Sequence, residues 1–223
     1  GFIGPVNAPE ERPIAAPADP ARPWFTPGVR GIGLASLLSD LGHEVPTTLL
    51  PAFLSSVLGA PAAALGLIEG IADGCAGLAK IVGGPLADAP ERRRTIAVGG
   101  YATTAVLSAA IGLVGAVWQV AVLRTGAWVA RGLRTPARNA LLADAVDRGA
   151  YGRAYGFERA MDNLGAVLGP LAALLLVAVL DVRSAILVSV VPGLLAGAAI
   201  VYAVRHIRTV PRTPPVRAAR PSL

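Results

Sequence analysis

Charged side chains recur at helical spacing inside long apolar stretches of this 223-residue sequence. Within each stretch they lie three, four or seven positions apart, so they share one helix face. Ionisable groups in an apolar setting are costly, and they commonly bind solutes, bind protons or pair with one another. The sequence predicts binding of a solute or a proton by the following residues: Asp40, His43, Glu44, Glu69, Asp73, Arg131, Asp162 and Asn163.

A second group of charges falls nearer one end of the same stretches. It comprises Arg134, Arg138, Glu158 and Arg159, and we predict an ion-pair network on the cytoplasmic side. The alternative for every buried charge is a purely structural ion pair. For the deeper Asp40 and Arg131 we favour function, because apolar packing would hold helices together at lower cost.

The elements that must position these groups are membrane helices. Only 15% of residues are charged and 54% are hydrophobic, whereas soluble domains carry about a quarter charged residues. Six apolar segments are long enough to cross a bilayer. We place them at 30–58, 62–87, 95–116, 118–145, 152–180 and 183–204. The first, second, fourth and fifth carry the charges and are expected to line a polar cavity, while the third and sixth are expected to face lipid.

The predicted organisation is a six-helix transmembrane bundle over 29–205 between two disordered tails. Residues 1–28 contain seven prolines and 206–223 are rich in proline and arginine, a composition that disfavours a packed core. Thirteen arginines fall on one side of a six-span arrangement and Arg183 on the other. The positive-inside rule then places both termini in the cytoplasm, in the plasma (inner) membrane. The net charge of +6 therefore requires no nucleic-acid partner.

The charged segments show a faint internal repeat. Glu69 and Asp73 in the second segment match Glu158 and Asp162 in the fifth. Three helices followed by a related three form an inverted 3+3 repeat, which is common in transporters. Chance similarity between short helical pieces is the alternative.

A small-residue motif follows in the fifth segment. Gly165 and Gly169 lie four positions apart, and Pro170 comes next. This pattern predicts a close helix contact and then a bend. Simple tight packing is the alternative.

Several of these motifs resemble the major facilitator superfamily. The segment from Gly84 to Arg94 is similar to its signature loop, although Ala89 and Glu91 depart from the usual residues. The segment from Gly165 to Pro170 is similar to its helix-5 motif, and the stretches 65–70, 131–144 and 156–170 look like one prokaryotic permease subgroup. The resemblance implies a gating loop with Gly84, Asp88, Arg92 and Arg93 as its key residues.

The resemblance also implies a function and an incomplete assembly. Its members move small solutes by alternating access, here with proton coupling, and use twelve helices in two halves. This sequence supplies the first half, so we expect either a missing second half or a homodimer partner within the lipid bilayer.

Two other functions remain open at this point. One is a non-transporting scaffold or a truncated, inactive transporter half. The other is a membrane enzyme similar to CDP-alcohol phosphotransferases, for which Asp73 and Asp88 match but Gly70 and Arg92 replace needed carboxylates. We therefore predict no enzyme activity, no metal and no cofactor.

Overall fold

The computed structural model describes residues 23–207, and this part of the chain is helical without any strand. Seven α-helices follow one another in the order given by these bounds: α1 Pro27–Ala52, α2 Ala62–Asp88, α3 Pro90–Ala110, α4 Val117–Asp144, α5 Tyr151–Val177, α6 Val182–Val188 and α7 Val190–His206. A π-helical turn, Phe53–Val57, extends α1, and short 3-10 turns follow α3 and precede α5. Most of both predicted tails lies outside the described residues.

The first helix begins inside the segment predicted as a tail. Pro27 occupies the first turn, where its missing N–H costs nothing, and the Thr26 hydroxyl accepts a hydrogen bond from the Val29 amide at 3.2 Å. Phe25 packs edge-on against Phe157 of α5, with ring centroids 5.1 Å apart. These contacts set the start of α1 earlier than the hydropathy pattern alone indicates.

The arginine-rich run between the second and third segments is not the loop that we predicted. Helix α2 continues to Asp88, a single residue follows, and Pro90 already starts α3. Ala89 is extended, with φ −78° and ψ 110°, which is the conformation favoured before a proline. The three arginines at 92–94 therefore lie in the first turns of α3.

The last predicted segment also differs in the structure. It consists of two helices, α6 and α7, which meet at Ser189. The Ser189 hydroxyl donates a hydrogen bond to the carbonyl of Ile186 at 2.6 Å, so this polar side chain is satisfied within its own turn.

Within residues 23–207, four helical segments are long and apolar enough to cross a membrane: Ala62–Asp88, Pro90–Leu113, Arg148–Val177 and Val182–His206. The other two long helices, α1 and α4, carry most of the buried charges. The chain is therefore an all-α membrane protein, as predicted.

The helices pack in a defined order. Helix α1 lies against α5 and α7, helix α4 lies against α2 and α3, and α3 contacts α7. The apolar windows of α3 and α7 are 39% buried, whereas those of α2 and α5 are 22% buried. Helices α3 and α7 thus pack on each other, while α2 and α5 expose more surface in this chain; that the third and sixth spans face lipid stays a prediction.

Two helix pairs approach through glycine. A Cβ added at Gly165 would collide with the Leu37 carbonyl of α1, and one added at Gly132 would lie 2.6 Å from the Ala76 carbonyl of α2. Any larger residue at either position would push the backbones apart. The α1–α5 and α2–α4 contacts are thus set by small residues.

Candidate functional site

The arginines of α4 reach toward three neighbouring helices. Arg124 forms a forked ion pair with Glu69 of α2, with a shortest distance of 3.0 Å, and also donates to Thr47 of α1 at 3.1 Å. Its side chain is 1% exposed. This arginine therefore ties α4 to both α1 and α2 near one end of the bundle.

About two helical turns after Arg124, Arg131 joins α4 to α1. Its NH1 lies 2.8 Å from the Oδ1 of Asp40. The Asp40 side chain is 5% exposed, whereas that of Arg131 is 20% exposed. This pair unites two predicted binding residues and leaves part of the guanidinium accessible.

Trp128 lies between these two arginines. Its ring is 5.2 Å from the Arg124 guanidinium and 5.6 Å from that of Arg131, which are cation–π distances. His43 packs edge-on against the same ring at 4.8 Å. The indole thus holds two like charges and the predicted His43 in one cluster.

A small polar cavity lies behind His43. It measures about 10 Å³, about the room that one water molecule requires, and His43, Tyr101 and Ser108 are among its lining residues. Neither ring nitrogen of His43 has a hydrogen-bond partner among the described residues, and the Tyr101 hydroxyl has none either.

Arg134 stacks on an aromatic ring instead of pairing with a carboxylate. Its guanidinium lies 3.9 Å from the centre of Tyr101 in α3, and NH2 donates to Ser39 of α1 at 2.7 Å. Arg134 as a whole is 3% exposed. The π-face and the hydroxyl are its neutral partners.

Arg138 is the centre of a denser network between α1, α4 and α5. Its NH1 lies 2.8 Å from Glu158, 3.4 Å from Asp162 and 3.0 Å from the hydroxyl of Ser36. The Ser36 hydroxyl donates in turn to Glu158 at 2.8 Å. Arg159, which is 65% exposed, pairs with Asp162 at 3.0 Å. Three of the four residues predicted as a network, Arg138, Glu158 and Arg159, thus lie together with Asp162. Arg134 contacts Tyr101 and Ser39 instead.

Three predicted binding residues are placed outside these clusters. Asp73 and Asn163 are exposed, and Glu44 is partly exposed, and none of them forms an ion pair within residues 23–207. Asp73 and Asn163 lie on the open faces of α2 and α5 described above, whereas Glu44 is in α1. Their predicted role stays a prediction.

The predicted gating residues divide into two kinds. Asp88 and Arg92 are exposed and Gly84 is partly exposed. Arg93 is buried: its side chain pairs with Asp144 at the end of α4 at 2.6 Å and donates to the Ala87 carbonyl at 2.6 Å. Arg93 therefore fastens the α2–α3 junction to α4.

The glycines of α5 lie against the predicted site. A Cβ at Gly169 would collide with the Cβ of Glu44, and one at Gly165 would lie 3.0 Å from the Cβ of Asp40. The helix continues through Pro170 to Val177. The bend at Pro170 stays a prediction, whereas the close contact is present.

Sequence reasoning missed the neutral partners of the charges. They are Ser36, Ser39, Thr47, Tyr101 and Trp128. Trp128 could have been found, because it stands four and three positions from Arg124 and Arg131 and so shares their face. The hydroxyl residues carry no such pattern. Within residues 23–207 no group of three or more His, Cys, Asp or Glu side chains could hold a metal ion.

The comparisons with known proteins decide the family. The sequence profile of the Major Facilitator Superfamily matches residues 32–223. The chain belongs to this superfamily. An uncharacterized protein of Mycobacterium tuberculosis is 32% identical over 139 residues, covering 62% of this chain and 34% of that protein. An uncharacterized MFS-type transporter of Methanocaldococcus jannaschii is 29% identical over 170 residues, covering 74% of this chain and 41% of its own.

A solved structure shares the fold. It is a bacterial homologue of the human lysosomal transporter Spinster, in an inward-facing and unoccupied conformation, with a TM-score of 0.62 and 14% identity over 88% of this chain. The chain spans 47% of that structure and about a third to two fifths of the relatives above.

Membership in the superfamily confirms the resemblance noted from the sequence. Its members are membrane transporters and not enzymes, so the prediction that this chain is no enzyme is confirmed. The phosphotransferase alternative is thereby discarded.

Proposed function

We propose that this chain is a six-helix half of a secondary active transporter, in which α6 and α7 together form the sixth span. The pattern of helix contacts supports an inverted 3+3 repeat. Exchanging the first three spans with the last three converts the α1–α5 contact into the α4–α2 contact, and the α1–α7 contact into α4–α3. Inverted repeats of this kind accompany alternating access.

The orientation in the membrane follows from charge. Four clusters of arginines gather at one end of the six-span arrangement, represented by Arg30, Arg92, Arg148 and Arg205, whereas Arg183 stands at the other. The positive-inside rule supports a plasma (inner) membrane protein with both termini in the cytoplasm.

The observation that carries the proposal is the Asp40–Arg131 ion pair. Helix α1 packs mainly on α5 and α7, and α4 mainly on α2 and α3, so this pair bridges the two packing groups. A bridge between groups can open and close as they move. The 20% exposure of the Arg131 side chain leaves its guanidinium within reach of a solute.

Proton coupling would use the same pair. Protonation of Asp40 removes the charge that holds Arg131 and makes the guanidinium available to an anionic group of the solute. A buried arginine that loses its partner is costly, so proton binding and solute binding are linked. His43 and Glu44 stand one turn from Asp40 or less and extend this site.

The gating role of Gly84, Asp88, Arg92 and Arg93, and the bend at Pro170, belong to the same proposal. Arg93 supports it as a fixed point, because the exposed Asp88 lies five residues from this anchored side chain. Movement of α5 would carry Gly165 and Gly169 past Asp40 and Glu44.

A complete pathway needs a second six-helix unit. Helices α2 and α5 expose large apolar side chains, among them Leu67, Leu78, Ile81, Leu171 and Leu175, and the chain spans less than half of the relatives that it matches. If the reading frame beyond residue 223, or a neighbouring one, encodes six more apolar segments, the partner is a second half. If neither does, the partner is a second copy.

The test is uptake into proteoliposomes that contain the chain with its second unit. Labelled alanine, glucose, citrate and tetraphenylphosphonium sample the zwitterionic, neutral, anionic and cationic classes, under an imposed pH gradient. We expect accumulation of one class that a protonophore abolishes. Accumulation of none would contradict the proposal and favour a non-transporting scaffold; accumulation that ignores the protonophore would contradict proton coupling.

A further inference from the structure

An apolar groove runs along the outer side of α1 and α7. Its volume is about 440 Å³. The α1 wall includes Arg30, Leu34 and Leu38, and the α7 wall includes Leu195, Ala198 and Tyr202. Leu34, Leu195 and Tyr202 are each about half exposed, so the groove opens away from the bundle.

The groove is basic at one end. Arg30 lines it directly, and its side chain forms no ion pair with any residue in 23–207. Ile207, at the end of α7, lies against Gly28 of α1 and accepts a hydrogen bond from Arg94 at 2.9 Å. Arg94 and the exposed Arg205 therefore stand close to the same end, while no acidic residue of the described part of the chain lines the groove.

The shape of the groove requires an occupant with two different parts. A long apolar part would cover Leu34, Leu38 and Leu195 along the helices, and an anionic part would meet Arg30 at the basic end. Basic pockets between transmembrane helices hold anionic lipid headgroups. In an integral membrane protein, a molecule with both parts is already present around the groove.

We propose that this groove is a binding site for an anionic phospholipid, with the headgroup on Arg30 and one acyl chain between α1 and α7. The groove and Asp40 lie on different faces of α1, since Leu38 of the groove wall is two positions before Asp40 and therefore about 160° away around the helix. Because α1 also carries Asp40, lipid binding would stabilise the α1–α7 contact beside the proposed pathway. The proposal depends only on the protein being in a membrane, not on transport.

Native mass spectrometry of the full chain in detergent tests this directly. Phosphatidylglycerol and phosphatidylcholine with the same acyl chains are added separately, and the retained lipid is counted. We expect tighter retention of phosphatidylglycerol, and we expect Arg30→Gln to weaken it about fivefold while leaving phosphatidylcholine unchanged, as loss of one arginine near a lipid surface predicts.

The matched control is Arg153→Gln. Arg153 is exposed in the first turn of α5, at the same end of the bundle as Phe25 and Arg30 because Phe157 packs on Phe25, but it does not line the groove. Equal losses for Arg30→Gln and Arg153→Gln would overturn the proposal, because they would indicate general surface charge. Equal retention of both lipids by the wild-type chain would overturn it as well.

A second variant tests the apolar part. Ala198 is exposed on the groove wall, so Ala198→Trp fills the groove without entering the core, and we expect lower retention of both lipids. Excess glycerol 3-phosphate supplies the anionic charge without acyl chains, and we expect it to displace neither lipid. Displacement by that ion, or conversion of a dimer to a monomer by Ala198→Trp, would overturn the lipid assignment in favour of a free phosphate or a second copy.

Discussion

Arg138 offers the sharpest test of how the buried charges hold the bundle. Its NH1 contacts Glu158, Asp162 and Ser36 at 2.8, 3.4 and 3.0 Å, and the side chains of Arg138 and Glu158 are 8% and 3% exposed. In Arg138→Met, Glu158 keeps only the 2.8 Å hydrogen bond from Ser36, so a buried carboxylate is left without a counter-charge. Removing one partner of a buried pair costs about 3–5 kcal/mol.

The double variant Arg138→Met with Glu158→Met separates charge from packing. It removes both members of the pair, and Asp162 keeps Arg159 at 3.0 Å. Replacement of a buried pair by apolar side chains is often neutral, so we expect the double variant to recover most of the lost stability. The assay is reversible unfolding in mixed micelles, followed by the fluorescence of the three tryptophans.

The matched control is Arg159→Met, because the Arg159 side chain is 65% exposed and its pair with Asp162 is largely solvated. We expect a loss below about 1 kcal/mol, as for exposed pairs in general. If Arg138→Met costs no more than Arg159→Met, or if the double variant is less stable than Arg138→Met, the described network does not hold α4 against α5.

Three further predictions use the same unfolding assay. Gly169→Leu should lower the free energy of unfolding by about 1–3 kcal/mol through overpacking, because a Cβ at this position collides with Glu44 of α1. Gly66→Leu, whose Cβ meets open space, should lower it less. Equal losses would contradict a close α1–α5 contact. Arg93→Gln should lower the free energy of unfolding by about 3 kcal/mol, because it leaves the buried Asp144 without its partner. Arg92→Gln, on the exposed face, should change it by less than about 0.5 kcal/mol. The reverse order would be evidence against an α2–α3 junction fastened to α4 by Arg93. Hydrogen bonds from Ser184 lower the pKa of Asp181, which caps α6 outside the spans, so Asp181 stabilises the fold at neutral pH and this stabilisation is lost as the pH falls through the lowered pKa. Asp181→Ala should therefore destabilise the protein at pH 7 and match the wild type in strong acid. A stability difference that persists in acid would contradict this.

Helical spacing predicts that Arg131, Arg134 and Arg138 share one face of α4, and from that face they reach α1, α3 and α5. It did not predict partners across helices. The pairing of Asp162 with Arg138 and Arg159 could not be predicted, since counting residues gives depth along a helix but not the rotation of one helix against another; its role in solute or proton binding stays a prediction.

Helix boundaries were predictable only where backbone chemistry agrees with composition. The arginine run at 92–94 has the composition of a loop, but Pro90 is well suited to a first helical turn and starts α3 there. At Gly59, a positive φ of 65° ends the helical conformation before α2, as the glycine and Pro61 indicate. The break at Ser189 has a marker as well, because Pro192 has no amide hydrogen to donate to the carbonyl of Val188, the last residue of α6.

The central claim is that the Asp40–Arg131 pair takes part in transport. Its most direct test is the initial rate of gradient-driven uptake of the solute that the wild-type assembly accumulates best, in Asp40→Asn against the matched control Asp147→Asn, whose carboxylate is exposed in the loop after α4. We predict that Asp40→Asn lowers the uptake rate at least about tenfold, in line with general acid–base roles. The control Asp147→Asn should match the wild type in uptake rate, in insertion into the membrane and in unfolding midpoint. Wild-type uptake by a correctly inserted Asp40→Asn protein would contradict the claim.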